Sequence, residues 1–172
     1  KSRIIPDCIR AWAESRKVEI RNPHATRPWQ HVLEPLSGYM ALAIQLANDE
    51  KLHGEVFNFG PKSEQDYTVL ELVEEMRKYW DKVKYEIIDS SLEAYESGLL
   101  KLNCDKAAKN LNWRAVLNFV ETVEFTSSWY SIYYNNIDIS EIDRSRQIFD
   151  LTRKQINTYT KIAKERGLKW AL

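Results

Sequence analysis

Glycine is scarce, with five in 172 residues. A backbone wrapped around a dinucleotide needs several glycines close together, because a side chain there blocks the phosphates. None of the five falls in a G-x-G-x-x-G or G-x-x-G-x-x-G run. Cysteine is rarer still: Cys8 and Cys104 match no C-x-x-C or zinc spacing. Both lie in apolar-patterned segments and read as buried free thiols, which suits a reducing cytoplasm. No apolar run approaches a membrane span and no signal-peptide pattern is visible, so no membrane partner is expected. An excess of one charge is also missing. The 25 Lys and Arg balance 25 Asp and Glu without a block of either sign, so no nucleic-acid footprint is expected. The catalytic signatures are absent too: no Y-x-x-x-K, G-x-S-x-G, H-E-x-x-H or P-loop occurs. His24, His31 and His53 make no metal spacing.

What is present is enough chain for one compact domain, residues 1–172, with a real core rich in Trp and Tyr. Ile4, Ile5, Cys8, Ile9 and Trp12 share a face at helical spacing, so residues 3–12 read as an amphipathic helix with Pro6 in its first turn. Val18 to Ile20 alternates as a short strand, and Asn22-Pro23 turns the chain. Pro28 keeps Arg27 extended. From Leu33 to Asn48 the pattern is helical and apolar over much of its circumference, so it expects contacts on more than one side. Glu55 to Phe59 reads as a strand ending at Gly60-Pro61. Thr68 and Glu71 form a capping box for a helix to about Trp80. Lys84 to Ile88 and Leu99 to Leu102 suggest strands, with Asn103 capping a short helix around Ala107. A helix opens at Asn118 to Glu121 and runs through Tyr130. Asn135 to Arg146 reads as a polar loop. Thr152 to Gln155 caps a final helix stopped by Gly167. This mixed order predicts an α/β fold of the α+β kind, with short strands among helices and no complete doubly wound domain.

Two features bear on binding. Arg21, Arg27, Trp29 and His31 crowd between a strand and a helix, and a guanidinium can grip a diphosphate with two hydrogen bonds at once. For any single arginine a solvated side chain is the commoner outcome; the cluster brings the binding reading level with it. Asn58 lies mid-strand, opposite Phe57 and Phe59, where an amide needs a partner; a backbone hydrogen bond and a ligand contact are both open.

The stretches Arg-Ile-Ile-Pro-Asp-Cys-Ile-Arg-Ala (3–11) and Arg-Asn-Pro-His-Ala-Thr-Arg-Pro-Trp-Gln-His-Val-Leu-Glu-Pro-Leu-Ser-Gly-Tyr (21–39) resemble the CDP-glucose 4,6-dehydratases, a branch of the extended short-chain dehydrogenase/reductases. Glu55 to Pro61, Glu96, Leu100 to Ala107, Leu111 to Trp113, Trp129-Tyr130 and Thr152 to Ala171 follow the same likeness in order. It covers nearly the whole chain but only the C-terminal, substrate-binding half of such an enzyme. The resemblance implies conversion of CDP-glucose to CDP-4-keto-6-deoxyglucose with tightly held NAD: oxidation at C4, loss of water from C6, return of hydride to C6. It places the NAD loop and the Tyr-Lys pair in an N-terminal half outside this chain, so the chain is expected to catalyse nothing by itself.

For this half the resemblance implies nucleotide-sugar capture. Arg27 falls at the diphosphate position and Asn58 at a second phosphate-side position. Arg3 and Ile4 match residues lining the nucleotide, Val18 and Ile20 lie in the strand beside the base, and Glu96 falls on the ribose or cytosine side. Ser2, Tyr95, Asn112 and Arg114-Ala115 depart from the family pattern, and Gly98-Leu99 offers no second phosphate-gripping arginine. Another nucleotide-sugar dehydratase or epimerase, or a non-enzymatic interaction module, remains an alternative. The chain starts at Lys1 without a Met and reads as a cut or processed piece. In this family the helices near 32–48 and 119–134 pack on the N-terminal half. Left bare, they are expected to drive self-association, as a homodimer or otherwise.

Overall fold

The computed structural model describes residues 3–88, 99–135 and 139–171, and within them short strands are scattered among helices. Helix α1 spans Ile4–Ala13 and strand β1 Val18–Ile20. Helix α2 spans Leu33–Leu46, α3 Val69–Arg77, and strand β2 Tyr85–Ile87. Helices α4 (Asp105–Leu111), α5 (Phe119–Asn135) and α6 (Glu141–Glu165) follow. Single 3-10 turns occupy Glu50–Leu52 and Lys169–Ala171. β1 and β2 pair in parallel, Val18 opposite Tyr85 and Ile20 opposite Ile87. Parallel partners require a long crossover, and here it carries α2 and α3. These two strands are the only sheet among the described residues, which bears out a mixed α/β fold without a complete doubly wound domain.

Three clusters of buried side chains hold the chain together. The first joins Cys8, Ile9 and Trp12 of α1 to Ile20, to Leu72, Val73 and Met76 of α3, and to Phe119 and Val123 of α5. Trp12 is fully buried and donates its Nε1–H to the Lys84 carbonyl at 2.8 Å, so its one polar atom is satisfied where β2 begins. The second packs Ala41 of α2 against Phe59, Ala107, Leu111 and Trp113. The third sets Val116, Leu117 and Phe125 against Tyr159 and Ala163 of α6. The first cluster explains why residues 3–12 become helical: the stripe at i, i+3, i+4 is the stripe that is buried.

Several helix ends follow sequence chemistry directly. Thr68 and Glu71 form the reciprocal capping box. Asn118 and Glu121 do the same at α5, each side chain accepting the other's backbone N–H, at 2.9 and 2.7 Å. Asn103 Oδ1 accepts from Asp105 N at 2.9 Å where α4 starts. Gly167, at φ +68°, ends α6.

Other expectations are corrected. Glu55 to Phe59 and Leu99 to Leu102 enter no ladder among the described residues. Alternating apolar residues state a side-chain preference, whereas a strand also needs a neighbour for its N–H and C=O groups. α3 ends at Arg77, short of Trp80, because Lys78 and Tyr79 donate to carbonyls three residues back and tighten the last turn. The segment expected as a loop up to Arg146 is helical from Glu141, with Ser140 Oγ accepting from Asp143 N at 3.1 Å. Thr152 therefore caps nothing. It sits within α6 and donates to the Ile148 carbonyl at 2.8 Å.

Cys104 is half-buried, not buried, although both cysteines are free thiols. Burial, with Asp7 beside it, pushes the Cys8 thiol up to about 12, which leaves it unreactive. Finally, α5 is not bare: α3 and α6 cover it. α2 keeps an uncovered apolar face at Leu36, Met40 and Ile44, and α6 exposes Ile142, Phe149 and Ile156.

Candidate functional site

A cleft of about 680 Å³ lies between the first turn of α1, the segment entering α2, and the facing sides of α5 and α6. Its position is set by the Arg27 to Val32 segment. Pro28 keeps the chain extended there, and Trp29 Nε1 donates to the Tyr67 carbonyl at 2.8 Å, pinning the segment to the residues before α3. Gln30 Nε2 reaches the Phe59 carbonyl at 3.1 Å on the other side. His31 Nδ1 accepts from Leu33 N at 3.3 Å, and its ring meets Phe125 edge-on with centroids 5.6 Å apart. That bond assigns the imidazole proton to Nε2. Burial lowers the His31 pKa to about 4, so the ring is neutral at physiological pH.

The next residues anchor this wall. Glu34 is 1% exposed. Its Oε1 accepts from Leu117 N at 2.7 Å and Val116 N at 3.0 Å, and its Oε2 accepts from Tyr159 OH at 2.9 Å. Burial pushes the carboxyl up; the Leu117 and Val116 donors, then Tyr159 and the Arg166 charge, draw it back. Ser37 Oγ stands 2.9 Å from Tyr159 OH and accepts from Trp113 Nε1 at 2.9 Å. Arg166 completes the frame: it grips Glu121 with both terminal nitrogens, at 2.7 and 3.0 Å, and donates to the Val116 carbonyl.

The opposite wall comes from α5 and α6. Trp129 Nε1 donates to Thr152 Oγ1 at 3.0 Å, and Gln155 Nε2 to the Phe125 carbonyl at 2.7 Å. These bonds tie the two helices together along the cleft. Its lining is mainly apolar and aromatic, with hydroxyl and amide groups between and Arg3 at an exposed rim. No carboxylate or thiol lines it among the described residues. Such a surface can hold a flat or amphipathic ligand and orient it; it offers no acid-base pair.

Arg3 and Ile4, expected from the sequence, both line this cleft. Arg27 does not. It is half-buried and its Nη1 donates to the Thr26 carbonyl at 2.7 Å. Asn58 is exposed and donates to the Asn103 carbonyl at 3.2 Å. Val18 is half-buried and Ile20 buried, both against the first core cluster. Glu96 lies outside the described residues. The residues sequence reading missed are Trp129, Thr126, Thr152 and Gln155. For Thr152 and Gln155 the signal was the apolar recurrence Ile148, Leu151, Tyr159, Ile162, which continues the last helix upstream of Thr152; Thr126 and Trp129 lie on α5.

The described residues do not fit a dinucleotide. Gly38, the helical glycine, serves internal packing: a Cβ there would meet Phe59 Cδ1 at 2.3 Å. The described glycines at 38, 54, 60 and 167 are too far apart in sequence to build a phosphate loop. No group of three His, Cys, Asp or Glu able to hold a metal occurs among the described residues. No described helix is long and apolar enough to cross a membrane.

No family model matches the chain. It is 37% identical over 150 residues, 87% of its length, to the CDP-glucose 4,6-dehydratase of Salmonella typhimurium. The chain spans 42% of that relative's length. Identity at that level over 150 residues makes the two homologous where they align, consistent with a C-terminal part of such an enzyme.

Proposed function

We propose that this chain is the nucleotide-sugar-binding part of a CDP-glucose 4,6-dehydratase, a hydro-lyase. What supports the reading above all is the 37% identity that runs through 87% of the chain. In this reading the chain captures and orients the nucleotide sugar. Arg27 takes the diphosphate, Asn58 a second phosphate-side contact, and Arg3 and Ile4 the nucleotide at the cleft. Val18 and Ile20 support the strand beside the base, and Glu96 serves the ribose or cytosine side.

NAD would belong to a portion outside these 172 residues, and supply there the oxidation at C4 and the return of hydride to C6. The chain's own contribution is binding and orientation. Its cleft lining, apolar and aromatic with Arg3 at the rim, is suited to that, and no carboxylate or thiol lines it among the described residues. A reducing cytoplasm suits its two free thiols.

Calorimetric titration of the chain with CDP, UDP and dTDP tests this. CDP is expected to bind most tightly. Equal affinity for all three would move the substrate to another nucleotide sugar. No binding of any of them would remove the capture role.

A further inference from the structure

His31 lines the cleft with half of its polar chemistry unused. Its Nδ1 accepts from Leu33 N at 3.3 Å, which leaves the ring proton on Nε2. That Nε2–H has no hydrogen-bond partner among the described residues, and it is not sealed off as a buried unpaired atom either. Neighbouring donors are spent on the protein. Trp29 Nε1 goes to the Tyr67 carbonyl and Trp129 Nε1 to Thr152 Oγ1. The Thr152 and Thr126 hydroxyls go to the Ile148 and Thr122 carbonyls, each at 2.8 Å. A donor that no protein group satisfies, set in a mainly apolar lining, is placed for something that enters.

The ring's charge selects the kind of acceptor. Burial lowers its pKa to about 4, so the imidazole is neutral. A phosphate at Nε2 would favour the protonated ring; a site that suppresses the proton suits a neutral oxygen. Trp29, Trp129 and Tyr130 supply aromatic surface around it, and the one cation of the lining, Arg3, stands out at the rim.

We infer that His31 donates its Nε2–H to a hydroxyl or ring oxygen of the hexose of a bound nucleotide sugar, and so orients that ring in the cleft. The inference rests on the capture role proposed above. With Arg27 on the diphosphate, Val18 and Ile20 beside the base, and Arg3 at the rim, the hexose is the neutral, oxygen-rich part left for the interior. His31 is a binding and orienting residue in this role and transfers no proton.

Calorimetric titration of the 172-residue chain with CDP and with CDP-glucose measures what the hexose adds. A gain seen on this chain owes nothing to any other portion of an enzyme. CDP-glucose should bind about three- to tenfold more tightly than CDP, as one neutral hydrogen bond provides. His31→Asn keeps an acceptor oxygen where Nδ1 stood and removes the outer donor. It should bind CDP as the parent does and lose the gain. A second measurement needs no variant: the imidazole 15N signals of the parent should show the Nε2–H form, and the Nε2 signal should move with CDP-glucose but not with CDP. A ring protonated on Nδ1, CDP binding with no gain from the hexose, or a gain that survives in His31→Asn would each overturn the inference and leave the capture role standing. Binding of neither nucleotide would overturn both.

Discussion

The Tyr159 hydroxyl lies 2.9 Å from Glu34 Oε2, joining α6 to the first turn of α2 across 125 positions of sequence. The same carboxylate collects the backbone N–H groups of Val116 and Leu117. One buried acceptor thus ties three segments together, beside the Ser37–Tyr159 contact and the Arg166 bond to the Val116 carbonyl, and it does so directly behind the wall formed by Trp29 to Leu33. The order of the cleft depends on a residue that does not line it.

Glu34→Gln tests that dependence. The amide keeps one acceptor oxygen but turns an NH2 toward donors that the second oxygen satisfied. Stability is expected to fall by about 2–4 kcal/mol, the range for losing charged hydrogen bonds and leaving buried donors unpaired. Tyr159→Phe removes one donor alone and should cost about 1–2 kcal/mol. Urea unfolding of the three proteins measures both.

Gly38→Ala should reverse the usual sign for its substitution. In an open helix the change stabilises by about 1 kcal/mol. At position 38 the new Cβ would meet Phe59 Cδ1 at 2.3 Å and Cε1 at 2.7 Å. The ring cannot swing away freely, because Tyr39 and Trp113 both pack edge-on against it. A net loss of about 1–3 kcal/mol, as for other overpacked sites, is expected in thermal or urea unfolding.

Acid should weaken the fold through His31. Its pKa is about 4 when folded and 6.5 by ordinary value, so between those limits the unfolded chain binds a proton that the folded chain refuses. Stability from this group is present above about pH 6.5 and is lost as pH falls toward 4, on the order of 1–3 kcal/mol. Glu34 has the opposite sign: its raised pKa gives a contribution that is present below 4.5 and lost as pH rises. Comparing urea unfolding at about pH 7 and pH 4.5 for the parent and His31→Phe separates them. The variant should lose less stability on acidification than the parent.

Much of this was legible in the sequence where the cause is local. The α1 stripe, the Thr68–Glu71 box and the Gly167 stop are each written within a few residues, and each formed. α6 was misread because Ser140 and Asp143 look like any polar loop until the apolar recurrence from Ile148 is followed, and because Thr152 imitates a cap. The Glu55 to Phe59 pattern is strand-like, yet the described fold gives it no neighbouring edge. The cleft was less legible still. Arg3 and Ile4 came from family likeness, but its far wall exists only because Trp129 meets Thr152 and Gln155 meets the Phe125 carbonyl. Such pairings between helices leave no trace in periodicity. Arg27 shows the converse: a residue can be singled out by type and position and still lie off the cleft that its neighbours line.

That separation yields a sharp expectation for ligand binding. Under the proposed capture role, Arg27 acts on phosphate and Arg3 with Ile4 on the nucleoside. Cytidine, which has no phosphate, should therefore bind the parent and Arg27→Ala equally. CDP should lose about tenfold in affinity on the same substitution, the equivalent of one charge-assisted contact. Arg27 also donates to the Thr26 carbonyl, so a purely structural role would disturb the nearby Trp29 segment and weaken both ligands alike. Ile4→Ala, which trims the cleft wall, should lower both affinities. Titrating two ligands against three proteins distinguishes a phosphate grip from a local brace. Equal losses for cytidine and CDP in Arg27→Ala would assign the guanidinium to the fold and not to the ligand.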